Sequence, residues 1–272
     1  MDTASPPSTP ARDLVGLAAV VTGSSSGIGR AIALRLAAAG AECLVHGHTH
    51  AESARATAVE IERLGGSRHV VLANLAEPAE QDRLVAEAFA WRPDVSIWIN
   101  NAGADVLTGP AADWSFDRKL AELWRVDVTA TIRIARQVGQ RMAAGVGGTI
   151  VNMGWDQAEQ GMAGDSGEMF AAIKGAVMAF SRSLAQSLAP KVRVNCLAPG
   201  WIRTAWAEDA SEYWQQRGAA ESLLGRWGTP EDVAAAAHFL VSPPADFITA
   251  QTMFVNGGRR RGEALSRRDC RK

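Results

Sequence analysis

Residues 17–30 read Leu17-Ala18-Ala19-Val20-Val21-Thr22-Gly23-Ser24-Ser25-Ser26-Gly27-Ile28-Gly29-Arg30. A continuously apolar run meets a turn of glycine and serine, and helical spacing of apolar residues then continues to residue 39. The run predicts a strand covered on both faces, and the pattern after it predicts a helix over 27–39. Each glycine has its own task in such a turn. Gly23 permits the tight bend, Gly27 lets the backbone approach a phosphate, and Gly29 lets helix and strand pack closely. The helix start offers free N–H groups and the positive end of its dipole to an anion. With the next apolar run, residues 17–48 form a strand–loop–helix–strand unit suited to the pyrophosphate of a dinucleotide.

The rest of the chain repeats this alternation. Further strands are predicted at 42–46, 69–73, 95–99, 149–153, 192–197 and 252–255, and further helices at 52–64, 79–91, 116–144, 167–189 and 231–240. Gly40 closes the first helix, Gly65-Gly66 the second, and Pro190 the fifth. Strands that alternate with helices pair in parallel through right-handed crossovers. The predicted fold class is therefore α/β, a doubly wound parallel sheet of about seven strands with helices on both faces. No linker or compositional break divides residues 13–258, which reads as a single domain. Residues 1–12 form a Pro-, Ser- and Thr-rich lead-in without an apolar signal core, and 259–272 form a basic tail.

Composition sets outer limits. Of 272 residues, 47% are hydrophobic and 21% charged, enough apolar surface for a core. A net charge of −1 supplies no global field to recruit nucleic acid or an anionic membrane. The exception is the tail, with Arg259, Arg260, Arg261, Arg267, Arg268, Arg271 and Lys272, which reads as solvated. No run approaches the ~18 apolar residues that span a bilayer. Three cysteines, at 43, 196 and 270, lack metal spacing, and two lie in strand-like runs, so reduced thiols and a cytoplasmic location are expected.

At the glycine loop the chain resembles the short-chain dehydrogenase/reductase family, whose Thr-Gly-x-x-x-Gly-x-Gly pattern matches residues 22–29. The resemblance runs from about residue 14 to 258. Asn100-Asn101-Ala102-Gly103 matches the family's Asn-Asn-Ala-Gly, and Pro199-Gly200-Trp201-Ile202-Arg203-Thr204 its Pro-Gly segment. Residues 225–232 and Val255-Asn256-Gly257-Gly258 match its C-terminal portion. The resemblance implies a Rossmann-type fold and a nicotinamide dinucleotide held by Gly23, Ser25, Ser26, Gly27, Ile28 and Gly29. It extends that site to Asn101, Ala102 and Gly103, to Pro199, Gly200, Ile202 and Thr204, and to Lys174 against the ribose. Asn74, followed by Leu75, stands where the family carries an Asp that accepts from the adenine amino group; an Asn carbonyl accepts as well. It also implies a homodimer or homotetramer, built on the long helices at 116–144 and 167–189.

The end of the second strand bears on which dinucleotide. An acid there would bind the ribose 2′-hydroxyl and favour NAD. His46-Gly47-His48-Thr49-His50 contains none. By resemblance His48 occupies the place of an Arg in NADP-preferring relatives, and Ser24 to Ser26 add hydroxyls, so NADP is preferred over NAD. Zinc on the three histidines is a weaker alternative, because a fourth ligand is not evident; no metal site is expected.

The family's acid–base set is broken. It places a Tyr four residues before the Lys, with a Ser upstream and an Asn on the preceding long helix; the Tyr moves the proton and the Ser polarises the substrate oxygen. Phe170-Ala171-Ala172-Ile173-Lys174 keeps Lys174 but puts Phe170 at the Tyr position. The single tyrosine, Tyr213, lies about forty residues later. Trp155 stands at the Ser position and Asp127 at the Asn position. Asp156, next to the vacated Ser position and near apolar walls, is the first candidate for a replacement proton donor. Asp127 is expected either to pair with Lys174 or to pack as a helix polar residue. Two functions compete: an NAD(P)-dependent oxidoreductase with a non-standard acid–base set acting on a small carbonyl, alcohol or imine, and a dinucleotide-binding pseudoenzyme that senses the cofactor or partners an active relative.

Overall fold

The computed structural model describes residues 12–204, 207 and 210–259. Seven parallel strands form one sheet: β1 (Ala18–Val21), β2 (Glu42–Gly47), β3 (His69–Leu72), β4 (Val95–Asn100), β5 (Gly148–Met153), β6 (Val192–Pro199) and β7 (Thr252–Val255). Their order is β3-β2-β1-β4-β5-β6-β7. The chain reverses its direction of travel across the sheet between β1 and β4, which opens a crevice at the strands' C-terminal ends.

Successive residues of a strand face opposite ways, and in this sheet both faces are dry. Ala19 and Val21 enter one core with Cys43 and Val45, while Ala18, Val20 and Leu44 enter the other. That explains continuous apolarity in the strands. The first core is closed by α1 (Gly27–Ala38), α2 (Ala51–Arg63) and a C-terminal helix at Pro230–Val241. The second is closed by α3 (Pro78–Trp91), by α5 (Thr131–Ala144) and by α6 (Asp165–Leu188). Each fully buried Leu or Ile there contributes roughly 1.5–3 kcal/mol.

The helix predicted at 116–144 is not continuous. α4 (Phe116–Leu123) passes into a π-helical stretch, Trp124–Ala130, before α5. The wider turn carries Asp127, whose Oδ1 accepts from the Ala104 N–H at 2.8 Å; π-helical insertions often serve functional sites. A helix that the sequence reading did not place, α7 (Glu212–Glu221), follows β6. The last helix, α8 (Pro230–Val241), begins with a capping box between Thr229 and Asp232. The predicted lead-in up to residue 11 and the tail from residue 260 lie outside the described residues. No helix among the described residues is long and apolar enough to cross a membrane.

Candidate active site

The glycine loop sits at the crevice and is clamped from three sides. Gly23 has φ +64°, and a Cβ there would lie 2.9 Å from Ala102 Cα. A Cβ on Gly29 would lie 2.2 Å from the Gly23 carbonyl oxygen and 2.4 Å from Asn101 Nδ2, so no side chain fits where α1 meets β1. The Asn101 amide donates to the Thr22 carbonyl at 3.0 Å, and the Thr22 hydroxyl accepts the Asn101 and Ala102 N–H groups at 2.9 and 3.0 Å. Above Gly27 there is open space, bounded only by the Thr204 methyl at 3.9 Å. The first N–H groups of α1 face outward without a side-chain cap. These features fit a bound pyrophosphate.

His46 braces this loop from below. Its Nδ1 accepts the Gly23 N–H at 3.0 Å, and Nε2 lies 3.1 Å from the Ala73 carbonyl, which fixes the neutral Nε2–H tautomer. Burial pushes its pKa down to about 4. Both ring nitrogens are therefore engaged, and His46 is not free to ligate a metal with His48 and His50. Ser24, expected to offer a hydroxyl to the cofactor, is buried instead: it donates to the Val21 carbonyl and accepts the His46 N–H. His48 is exposed beyond the end of β2. Asn74 Oδ1 accepts the Ala76 N–H at 3.0 Å and Leu75 is buried, so both hold the loop after β3.

Beyond the loop, the crevice widens into a cleft of about 520 Å³. Ile28, Asn101, Lys174, Pro199, Gly200, Ile202 and Thr204 line the end nearest the loop. The other walls are apolar apart from Ser166: Trp155, Phe170, Trp201, Trp214 and Trp227, with Met153, Met162 and Leu107. The Phe170 ring stands edge-on to Trp155, centroids 6.2 Å apart, and Trp201 lies 5.5 Å from both Trp214 and Trp227. Lys174 is the one titratable side chain among the described residues lining this cleft. Its Nζ donates to Asp127 Oδ2 at 2.8 Å, and Asp127 is almost wholly buried. A Cβ on Gly103 would lie 2.8 Å from that carboxylate, so Gly103 gives the pair its room.

Asp156 does not face the cleft. It sits behind Gly200, whose hypothetical Cβ would lie 3.1 Å from Asp156 Oδ2, and lines a small polar cavity with Glu221, Asn256 and Arg259. Oδ2 accepts from Asn256 Nδ2 at 3.1 Å, while Oδ1 is buried without a hydrogen-bond partner. Burial raises the pKa, opposed by the Asn256 bond, and Asp156 is not among the residues that line the cleft. The main chain explains the turn away: Trp155 is extended, and the short 3-10 turn Asp156–Ala158 rotates the next side chain under β6. Tyr213, on α7, accepts from Arg217 at 3.4 Å and is not a lining residue. Sequence reasoning missed His46 as a brace and did not single out Ser166, which lines the cleft one helical turn before Phe170. The i, i+4, i+8 spacing of Ser166, Phe170 and Lys174 was the available signal.

Fold and loop together define a dinucleotide-binding α/β protein with an adjoining, largely apolar cleft. Residues 23–260 match the family described as Enoyl-(Acyl carrier protein) reductase. The 3-oxoacyl-acyl-carrier-protein reductase FabG of Aquifex aeolicus is 35% identical over 252 residues, 90% of this chain and 98% of that protein. The 3beta-hydroxysteroid dehydrogenase 1 of Eggerthella lenta is 35% identical over 254 residues, 90% and 94% of the two. Among solved structures, a short-chain dehydrogenase from Burkholderia cenocepacia J2315 in complex with NADP superposes with a TM-score of 0.81 at 31% identity, covering 90% of this chain and 98% of that one. A 7 alpha-hydroxysteroid dehydrogenase complexed with NADH and 7-oxo glycochenodeoxycholic acid gives 0.83 at 28%, covering 91% and 96%. The chain belongs to the short-chain dehydrogenase/reductase family of NAD(P)-dependent oxidoreductases.

Proposed function

We propose that this protein is an NADP-preferring oxidoreductase with a non-standard acid–base set, acting on a small, flat, apolar carbonyl, alcohol or imine. The observation that carries this reading is the chamber itself: the cofactor-side residues Asn101, Lys174, Ile202 and Thr204 share one cleft with five aromatic side chains. A protein that only sensed a dinucleotide would need the loop but not this adjoining space. The bound nicotinamide would give or take a hydride at the cleft's inner end. Lys174 would hold the ribose with the donors that Asp127 leaves it, Thr204 and Ile202 would cover the carboxamide, and the aromatic walls would exclude water. The NADP preference rests on the missing acid after β2 and on Ser25, whose Cβ lies 3.6 Å from where a Gly47 Cβ would be. Catalysis is carried by Lys174, with Asp127 as its positioning partner. Phe170 and Trp155 act as walls at the vacated Tyr and Ser positions.

Association as a homodimer or homotetramer is part of the reading, supported by an exposed apolar patch around Leu120, Ala121 and Trp124 on the α4 side. Buried, unpaired Cys43 and Cys196, with thiol pKa values pushed up to about 12 by burial, suit a cytoplasmic protein. The pseudoenzyme reading has its own support in Phe170, which removes the family's proton donor. Titration with NADPH and NADH, followed by hydride-transfer assays over a carbonyl, alcohol and imine panel, separates the two. Turnover by the wild type supports the enzyme. Tight cofactor binding with turnover only in Phe170→Tyr would establish the pseudoenzyme instead.

A further inference from the structure

A hydride added to a carbonyl leaves an alkoxide, which needs a proton at once; a positioned acid is worth ~10²–10⁴-fold there. The cleft holds no such acid among its described residues. Phe170 and Trp155 face it where an acid and a polarising hydroxyl would stand, Asp156 is in another chamber, and Lys174 is tied to Asp127 at 2.8 Å. The walls offer something else. Trp155, Phe170, Trp201, Trp214 and Trp227 line one space, and a ring face attracts a cation. Two of these rings already do so: the Arg217 guanidinium, which does not line the cleft, lies 5.1 Å from the Trp214 ring centroid and 5.9 Å from that of Trp201. The nearby cationic side chains are internally neutralised, Lys174 by Asp127 and Arg217 by Glu221 at 2.6 Å, so neither leaves an uncompensated charge to repel a cationic guest.

Resting on the oxidoreductase reading above, we propose that the substrate is a preformed iminium cation, flat and apolar, reduced to a tertiary amine. The balance needs no protein acid. The iminium carbon accepts a hydride, its C=N π pair becomes the nitrogen lone pair, and the positive charge disappears. The reduced nicotinamide dinucleotide that supplied the hydride is left oxidised, and no proton enters or leaves. The missing Tyr and Ser are then a fit to the substrate rather than a loss of function. An alkoxide-forming substrate is handicapped here, and a cationic one is bound by the walls and discharged by the reaction.

The test uses the full-length protein and two readouts. In the first, tryptophan fluorescence follows binding of N,N-dimethyl-1,2,3,4-tetrahydroisoquinolinium, a cation that cannot react, against 1-tetralone, a neutral ketone of similar size, with and without NADP. The cation is expected to bind at least ~10-fold more tightly. Trp214→Leu should remove that preference and Trp214→Tyr, which keeps a ring, should restore most of it. In the second, NADPH oxidation is followed with N-methyl-3,4-dihydroisoquinolinium and with 1-tetralone. Wild type is expected to reduce the iminium and not the ketone, and Phe170→Tyr to begin reducing the ketone. Equal or tighter binding of 1-tetralone, or ketone reduction without iminium reduction, overturns the iminium assignment while leaving the oxidoreductase standing. NADPH binding with neither substrate turned over by wild type overturns both.

Discussion

The Lys174 ammonium reaches across from α6 to the Asp127 carboxylate on the π-helical stretch, 2.8 Å between Nζ and Oδ2, with the acid only 3% exposed. Asp127 Oδ1 holds the Ala104 N–H, so one carboxylate ties the loop after β4 to the helix that carries Lys174. Removing the cation leaves that carboxylate buried and uncompensated, which typically costs about 3–5 kcal/mol. Lys174→Met should lower stability by that order in chemical denaturation. Adding Asp127→Asn should return part of the loss, since Asn still accepts from Ala104. A double variant no more stable than the single one would deny the coupling.

Gly29→Ala should cripple dinucleotide binding. The new methyl meets backbone at 2.2 Å and an amide at 2.4 Å, neither of which is the loose end of a flexible chain. Forcing α1 off β1 costs about 1–3 kcal/mol, the usual scale of overpacking. NADPH titration should show at least ~10-fold weaker binding, since the amides that face the pyrophosphate move with α1.

His46 gives the fold an acid limit. Its pKa is pushed to about 4 in the folded chain, mainly by burial, against an ordinary 6.5. Between those values the unfolded chain binds the extra proton and the folded chain does not, so stability falls as pH falls. The contribution is fully present above pH 6.5 and is lost progressively toward pH 4, up to roughly 3 kcal/mol. In His46→Gln this part of the pH dependence of urea unfolding should flatten. An unchanged slope would remove His46 as its source.

Asp156→Asn should spare catalysis and, near neutral pH, hold or raise stability. Burial lifts the pKa of this carboxyl, so keeping it ionised costs the folded state increasingly as pH rises past its ordinary 3.8. The amide removes that cost and keeps an oxygen for Asn256. Turnover by the variant within about twofold of wild type is expected; a loss of ~10² or more would restore Asp156 as an acid in the reaction.

The glycine loop and the strands were legible because their signals are local: a backbone that needs Gly23 and Gly29, and apolar runs buried on both faces. The side on which a residue falls at a strand's end was not. Asp156 is adjacent in sequence to Trp155, yet a single 3-10 turn sends one into the cleft and the other behind Gly200. The histidine tract is divided in a similar way. Alternate residues of a strand share a face, but β2 ends at Gly47, so His46 is buried in the sheet while His48 and His50 are in solvent. α7 had only a weak signal, Ser211 and Glu212 at its start, and the tryptophan-rich sequence around it reads as loop.

The segment after β7 turns back on the stretch that follows α7. Leu223 and Leu224 donate their N–H groups to the Gly258 and Gly257 carbonyls at 3.0 and 3.2 Å, and Ser222 bridges to Arg259. The stretch between α7 and α8 is thus stitched to residues 257–259. A truncation that removed residues 257–259 would therefore unfasten the stretch after α7 as well as shorten the chain.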